Sequence, residues 1–439
     1  MATVSKSVAH IQELDRIQDP SKEWVVYLLD RAGIFAVELA DQVFIPLIFL
    51  KGLRWTKDHG TAPYTSPILG MVGMLLLSTG DFAGARSYAD LALTLAVRQN
   101  KARSHLLAYG FVMHCQIPLA SCKRPLQEGY EIGMKTGDLE AAFWCLVNLF
   151  ELSIIDGTKL TLVEEDLQQY VAEMERHQFT KQADLATVTW QRVFNLMHGG
   201  NKNVLDGEYC DLEKLTKKWS EKPQFALQLH HLIRCRAQCA FWFDDFNQVC
   251  AIMEENGYDD FLPEKQQPGI LVICTVYIFC ALSCVSVSRE TTDKKKKSKR
   301  RKQALKFFSR ISSYAKKGVV QVQHAEPLIE AELASLDGKP SVARSKYEVS
   351  ILLAGRSGKT NFQALAHERC GAHAARQKDG NEARYHYGRA LELYREWGAK
   401  GKARHLEEKV RGLMSEATEA FQVNPSSAPE ASVPLFVPR

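Results

Sequence analysis

The chain has 439 residues, 46% of them hydrophobic and 24% charged, with a formal net charge of +5. This composition excludes global disorder and a collagen-like rod, and the length accommodates two or three domains of about 100–200 residues or one extended repeat array. Eight of the nine residues from Lys294 to Lys302 are basic, which leaves −3 for everything else, so the basic excess does not mark the whole surface as a nucleic-acid or membrane partner.

Residues 1–21 form a polar N-terminal segment without the apolar core of a secretory leader, and Asp19-Pro20 reads as the entry to the first helix. From 22 to 412 apolar residues recur at helical spacing, as in Ala141, Trp144, Cys145, Asn148 and Leu149, while strand alternation and hairpin turns are nearly absent. The fold class is all-α. The run Ile34 to Leu50 contains Glu38 and Asp41, which argues against a membrane span there.

A Gly-x-x-x-x-Ala turn followed by small or aromatic residues recurs four times. Gly80 precedes Ala85, Ala89 and Ala92; Gly137 precedes Ala142, Leu146 and Leu149; Gly338 precedes Ala343, Tyr347 and Ser350; and Gly380, closer in, precedes Ala383, Tyr387 and Ala390. The glycine permits a tight turn, the first small residue lets the second helix approach the first, and the later positions face the adjacent repeat. This predicts an α-solenoid of helix–turn–helix repeats forming a curved, elongated superhelix, without a linker between 22 and 412.

The phrase GDFAGARSYADLALTLA resembles the tetratricopeptide repeat. Its spacing here is irregular, 57 residues from Ala85 to Ala142 and 40 from Ala343 to Ala383, against about 34 in the strict family. A more particular resemblance joins residues 26 to 412 to the large helical region of multidomain signalling kinases, which lies between a serine/threonine-kinase and predicted ATPase pair and a sensor histidine kinase. It is carried by Ala331-Glu332-Leu333, by Leu365, Ala366 and Glu368, by Tyr394 with Trp397, Gly398, Ala399 and Lys402, and by the phrasing of FIPLIFLKGLRW and PLQEGYEIGMKTGDLEAAFW. The resemblance implies a non-catalytic arm: a protein-interaction scaffold in signalling, binding a protein or peptide on its concave face, or a regulatory arm acting in trans on a kinase or ATPase.

There is no HRD catalytic loop, no DFG and no Gly-rich loop, so no catalytic residue, cofactor or metal is assigned. The stretch Val349 to Phe362 ends in Gly358-Lys359-Thr360 but has Leu353 where a phosphate-binding loop needs glycine, and it reads as a helix end. The eleven cysteines lack a CxxC pair and read as reduced core residues; His367, Cys370 and His373 share a helix face but offer only three ligands. Asp244-Asp245 and Asp259-Asp260 read as turn or cap residues.

The apolar run 269–287 reads as a buried solenoid helix, with a membrane anchor as the alternative. Lys294, Lys295, Lys296, Lys297, Lys299, Arg300, Arg301 and Lys302 read as an inter-helix loop at 291–303 that offers an anionic partner a docking point or serves nuclear import. Interleaved aromatics are missing, so sequence-specific nucleic-acid binding is not expected. Residues 413–439 read as a helix end and a disordered, proline-rich tail containing VPLFVP. The expected compartment is the cytoplasm.

Overall fold

The computed structural model describes residues 2–39, 41, 43–199, 205–221, 225–257 and 270–422. Asp259-Asp260 and the tail beyond Gln422 lie outside these residues. Among the described residues the chain is a solenoid of twenty α-helices: α1 (Ala2–Gln12), α2 (Pro20–Glu38), α3 (Phe44–His59), α4 (Thr65–Thr79), α5 (Phe82–Leu95), α6 (Lys101–His105, continuing as a π-helix over Leu106–Val112), α7 (Ala120–Thr136), α8 (Leu139–Asp156), α9 (Leu160–Arg176) and α10 (Thr180–His198). It continues through α11 (Leu212–Ser220), α12 (Ala226–Trp242), α13 (Phe246–Glu255), α14 (Ile270–Glu290), α15 (Lys294–Lys316), α16 (Ala325–Leu336), α17 (Pro340–Arg356), α18 (Thr360–Arg376), α19 (Gly380–Trp397) and α20 (Lys400–Gln422).

Two kinds of helix alternate. From α4 to α18 the even-numbered helices are buried on nearly every side; α8, for example, buries almost every residue from Ala141 to Ile155. Their odd-numbered neighbours bury one stripe. In α9 it is Leu160, Val163, Leu167, Val171 and Met174, at the spacing of a single helix face, with polar residues elsewhere. The even helices therefore form the inner layer and the odd helices the outer one. This explains the apolar run after residue 269: α14 is an inner helix whose residues Cys274 to Val287 pack among neighbours. Among the described residues no helix is long and apolar enough to cross a membrane.

The turns have physical causes visible in the sequence. Gly80, Gly137, Gly338 and Gly398 adopt left-handed φ values of 81°, 84°, 71° and 91°, and Asp81, Asp138 and Asp379 cap the helices that follow. Two details correct the repeat pattern. Gly137 joins an outer helix to an inner one, whereas Gly80 and Gly338 join inner to outer, so the Gly137 copy is half a repeat out of phase. In the fourth copy Lys378 takes the left-handed conformation at φ 61°, and Gly380 already lies in the first turn of α19.

Two segment expectations are also corrected. Residues 1–21 contain α1, which docks through buried Ile11 and a 2.8 Å hydrogen bond between Ser7 Oγ and Tyr88 Oη. The expected basic loop at 291–303 is the start of α15. Asp293 caps it by accepting from the N–H groups of Lys295 and Lys296, and Arg300, Ala304, Phe307 and Ile311 form its buried stripe. Lysine and arginine are good helix formers, and the buried face outweighs mutual repulsion.

The expected elongated shape is replaced by a wound one. Asn361 Nδ2 donates to Ile154 O at 2.9 Å, Gln321 Nε2 to His114 O and Ile117 O at 2.9 Å each, and Arg404 Nη2 to His198 O at 2.6 Å. These contacts span 207, 207, 204 and 206 residues. They seat the second superhelical turn on the first. Gly157, at φ 82°, lies in this seam, where a Cβ would stand 2.8 Å from the backbone nitrogen of Thr360.

Candidate functional site

Residues of α2, α3, α4, α6, α8, α10 and α12, with the π-helix, line a half-open cavity of about 210 Å³. Its walls are apolar, contributed among others by Phe49, Met71, Leu107, Phe111, Trp144 and Leu185. The π-helix supplies Leu106, Leu107 and Phe111, and such local widening of a helix recurs at functional positions.

Charged groups mark both ends. At one end Arg103 is held between Asp30 at 3.4 Å, Glu140 at 3.4 Å and Asp138 at 3.9 Å, while Arg31 closes on Asp30 at 2.6 Å. At the other, Glu151 accepts from Arg192 Nη2 and Arg234 Nη1, both at 2.8 Å, and from Thr189 Oγ1 at 3.0 Å. Burial alone would raise the Glu151 carboxyl, but the two guanidinium charges outweigh it and hold it well below the usual carboxylate range. Arg192 also donates to Gln238. Two cations thus face one carboxylate, and Lys181 and His230 lie beside them on the cavity wall. This end carries excess positive charge.

Glu151, His231 and Cys235 bring their ligand atoms within 4.8 Å of one another, the spacing of a metal site. The donor set does not fit a cation. Both Glu151 oxygens are taken by guanidinium groups, and Arg234 Nη2 stands 2.6 Å from His231 Nδ1, which therefore accepts. Nε2 then carries the proton, 3.0 Å from both Leu185 O and Thr189 Oγ1. Burial, then Arg234, press the His231 imidazole down to about 3. A cation placed here would meet two fixed positive charges.

The structure buries Ala85, Ala92, Ala142, Ala343, Tyr347, Ala383, Tyr387, Ala390, Tyr394 and Trp397 in the core. Those of the later repeats meet a second network. Tyr394 Oη donates to Glu368 at 2.7 Å, Lys402 Nζ to the same carboxylate at 3.0 Å, and Trp397 packs on Trp242 at 5.4 Å. Asp244 joins through Lys409 at 2.7 Å and His405 at 3.3 Å. The residues that carried the kinase-arm resemblance therefore fasten α20 to α18, α19 and the α12–α13 turn. His367 and His373 separate, to His386 Nδ1 and Ser335 Oγ, each at 2.9 Å.

Of the eight basic residues, Lys299 and Arg300 pair with Glu254 at 2.6 and 3.0 Å and Arg301 with Asp337 at 3.0 Å, while Lys296 Nζ donates to Asn247 at 3.2 Å. Lys294, Lys295, Lys297 and Lys302 are exposed, and among the described residues none of them pairs with a carboxylate.

The sequence reading did not single out the cavity charges. Their signal is a charge set inside an apolar inner helix: Glu151 in LFELSII, Arg192 in QRVFNLM and Arg234 in HLIRCRA.

No family profile matches the chain, and no curated protein matches it. Among solved structures, a circular tandem repeat protein with novel repeat topology aligns over 92% of this chain and 97% of its own, at 11% identity and a TM-score of 0.15. The structure of Naa15/Naa10 bound to HypK-THB aligns over 91% of this chain and 81% of its own, at 12% identity and a TM-score of 0.19. Both values are too low to carry weight, and the α-solenoid assignment rests on the alternating helices described above.

Proposed function

We propose that this chain is a non-enzymatic protein-interaction scaffold, working in signalling, that binds a peptide segment on the inner face of its first superhelical turn. The segment has apolar side chains and a carboxylate, from an acidic residue or a chain end. One observation carries the reading: an apolar cavity whose far end is lined by Glu151, Arg234 and Lys181, with Arg192 behind Glu151 as a second guanidinium on the same carboxylate. An apolar side chain fills the middle by dehydration, and the carboxylate meets the excess positive charge. Arg103, saturated by three carboxylates, adds no cationic charge at the opposite end.

Trp144 lines the cavity with Lys181 Nζ 5.8 Å from its ring centre, so its fluorescence reports occupancy. Acidic-apolar peptides from an immobilised library should quench it and bind, and Lys181→Gln should weaken them by tenfold or more. Peptide binding that ignores both Lys181→Gln and Trp144→Phe would refute this location.

A second observation supports an anionic docking point on α15. Lys294, Lys295 and Lys297 lie in its first turn, where the helix dipole disfavours positive charge, so an anionic partner surface relieves that repulsion. Substituting these three and Lys302 with Gln should remove the salt dependence of partner binding. Unchanged salt dependence would refute it.

A further inference from the structure

Among the described residues, nothing covers the outer side of the α2–α3 hairpin. Trp24, Leu28, Phe35 and Leu39 on α2, and Val43, Phe44, Leu47 and Leu50 at the turn and on α3, are each more than half exposed. Terminal repeats of solenoids ordinarily carry a polar outer face, because nothing stacks on them. Here Asp30, Ile34 and Val37 of α2 face the cavity while the opposite side of the same helix is an apolar stripe.

We propose that this face joins two copies of the chain about a two-fold axis, with α2 packed antiparallel on its symmetry mate. The stripe itself specifies the partner. Its four large residues are spaced four, seven and four apart, a pattern identical when read backwards. In an antiparallel pair whose axis passes beside Ala32, Leu28 of one copy meets Phe35 of the other and Trp24 meets Leu39. Ala32 is exposed and small, so the helices can approach where they cross.

The area agrees. The aromatics Trp24, Phe35 and Phe44 would offer about 150–250 Å² each when fully exposed and are more than half exposed, so with the five aliphatic side chains beside them the hairpin presents several hundred Å², the scale of one partner's share of a standard interface. A lipid surface fits less well. Asp41 sits at the hairpin tip among these residues, its carboxylate accepting from the N–H groups of Val43 and Phe44 at 3.0 Å each, and an ionised aspartate is costly in hydrocarbon. The inference is independent of the peptide site, which uses the other side of α2.

The test is the mass of the full-length chain in solution. Sedimentation equilibrium should give twice the 49.5 kDa of one chain, and Leu28→Glu with Phe35→Glu should halve it while leaving the far-ultraviolet circular dichroism unchanged. Directed oxidation supplies the geometry. All eleven native cysteines are buried, so a Leu28→Cys/Phe35→Cys variant should cross-link between copies, whereas Leu28→Cys alone should not, its mates standing about 10 Å apart along the axis. A single-chain mass at every concentration would overturn the proposal. So would a dimer indifferent to the Glu substitutions, cross-linking by Leu28→Cys alone, or a single chain that floats with vesicles through this face.

Discussion

Lys359 offers the sharpest test of the wound superhelix. It lies in the α17–α18 turn, 3% exposed, and its Nζ donates to a neutral partner, Gln321 Oε1, at 2.9 Å. The nearest carboxylate, Asp156, is already held by Lys123 at 2.7 Å. Burial therefore presses the Lys359 ammonium from 10.5 down to about 8, against the weaker opposing pull of Asp156. Between pH 8 and 10.5 the unfolded chain holds a proton at this position that the folded chain has lost, so the contribution of Lys359 to stability rises with pH and is flat on either side. The amplitude is about 3 kcal/mol.

Lys359→Met removes that titration and leaves Gln321 Oε1 without its donor, which costs about 1–3 kcal/mol independent of pH. The measurement is urea unfolding of both proteins from pH 7 to 10.5. Buried thiols such as Cys122, pushed up to about 12, keep protons longer than unfolded thiols and pull stability down with pH, but they do so equally in both proteins. The difference, parent minus variant, should climb by about 3 kcal/mol between pH 8 and 10.5. A flat difference would show that Lys359 is hydrated, and with it that the two superhelical turns are not in contact at this seam.

Glu151→Gln should cost about 3–5 kcal/mol, read as a fall in the urea midpoint, because it strands Arg192 and Arg234 without their shared counter-charge. Gly133→Ala should destabilise by about 1–3 kcal/mol in the same assay, since the added Cβ would stand 2.8 Å from Ala142 Cβ and 2.7 Å from Asp138 O. Lys295→Glu should raise Tm slightly, the gain being about 0.3–1 kcal/mol, by replacing a cation with an anion in the first turn of α15. Glu332, held down to about 2 although burial opposes this, by Arg289 and the arginines near it, contributes stability that is complete above its ordinary carboxylate range and is lost as pH falls toward 2. Glu332→Gln should therefore flatten acid unfolding between pH 4.5 and 2, followed by circular dichroism.

Helical periodicity made the secondary structure readable. Gly80, Gly137, Gly338 and Gly398 stand where a left-handed residue is required, and Asp81, Asp138 and Asp379 where a cap is required, because both demands are local and few residue types meet them. Local rules also misled. Eight basic residues in nine suggested a loop, yet the stripe Arg300, Ala304, Phe307 and Ile311 lies just beyond, and only packing on α14 and the pairs with Glu254 and Asp337 decide that the helix begins at Lys294.

The sequence by itself determined that the chain is an array of helix pairs, which residues form its turns, and which helices are apolar all round. Those properties depend on neighbours within about a turn of helix. Only the tertiary structure decided that the array coils back on itself at a separation of 204 to 207 residues, because that register is set by contacts such as Asn361 to Ile154 that leave no periodic trace. It alone also set Glu151 and Arg234 at one end of a common cavity, with Arg192 from a third inner helix behind the same carboxylate. A buried charge in a helix can be recognised from its apolar flanks, but its partner is chosen by how the helices stack, and the site exists only where they meet.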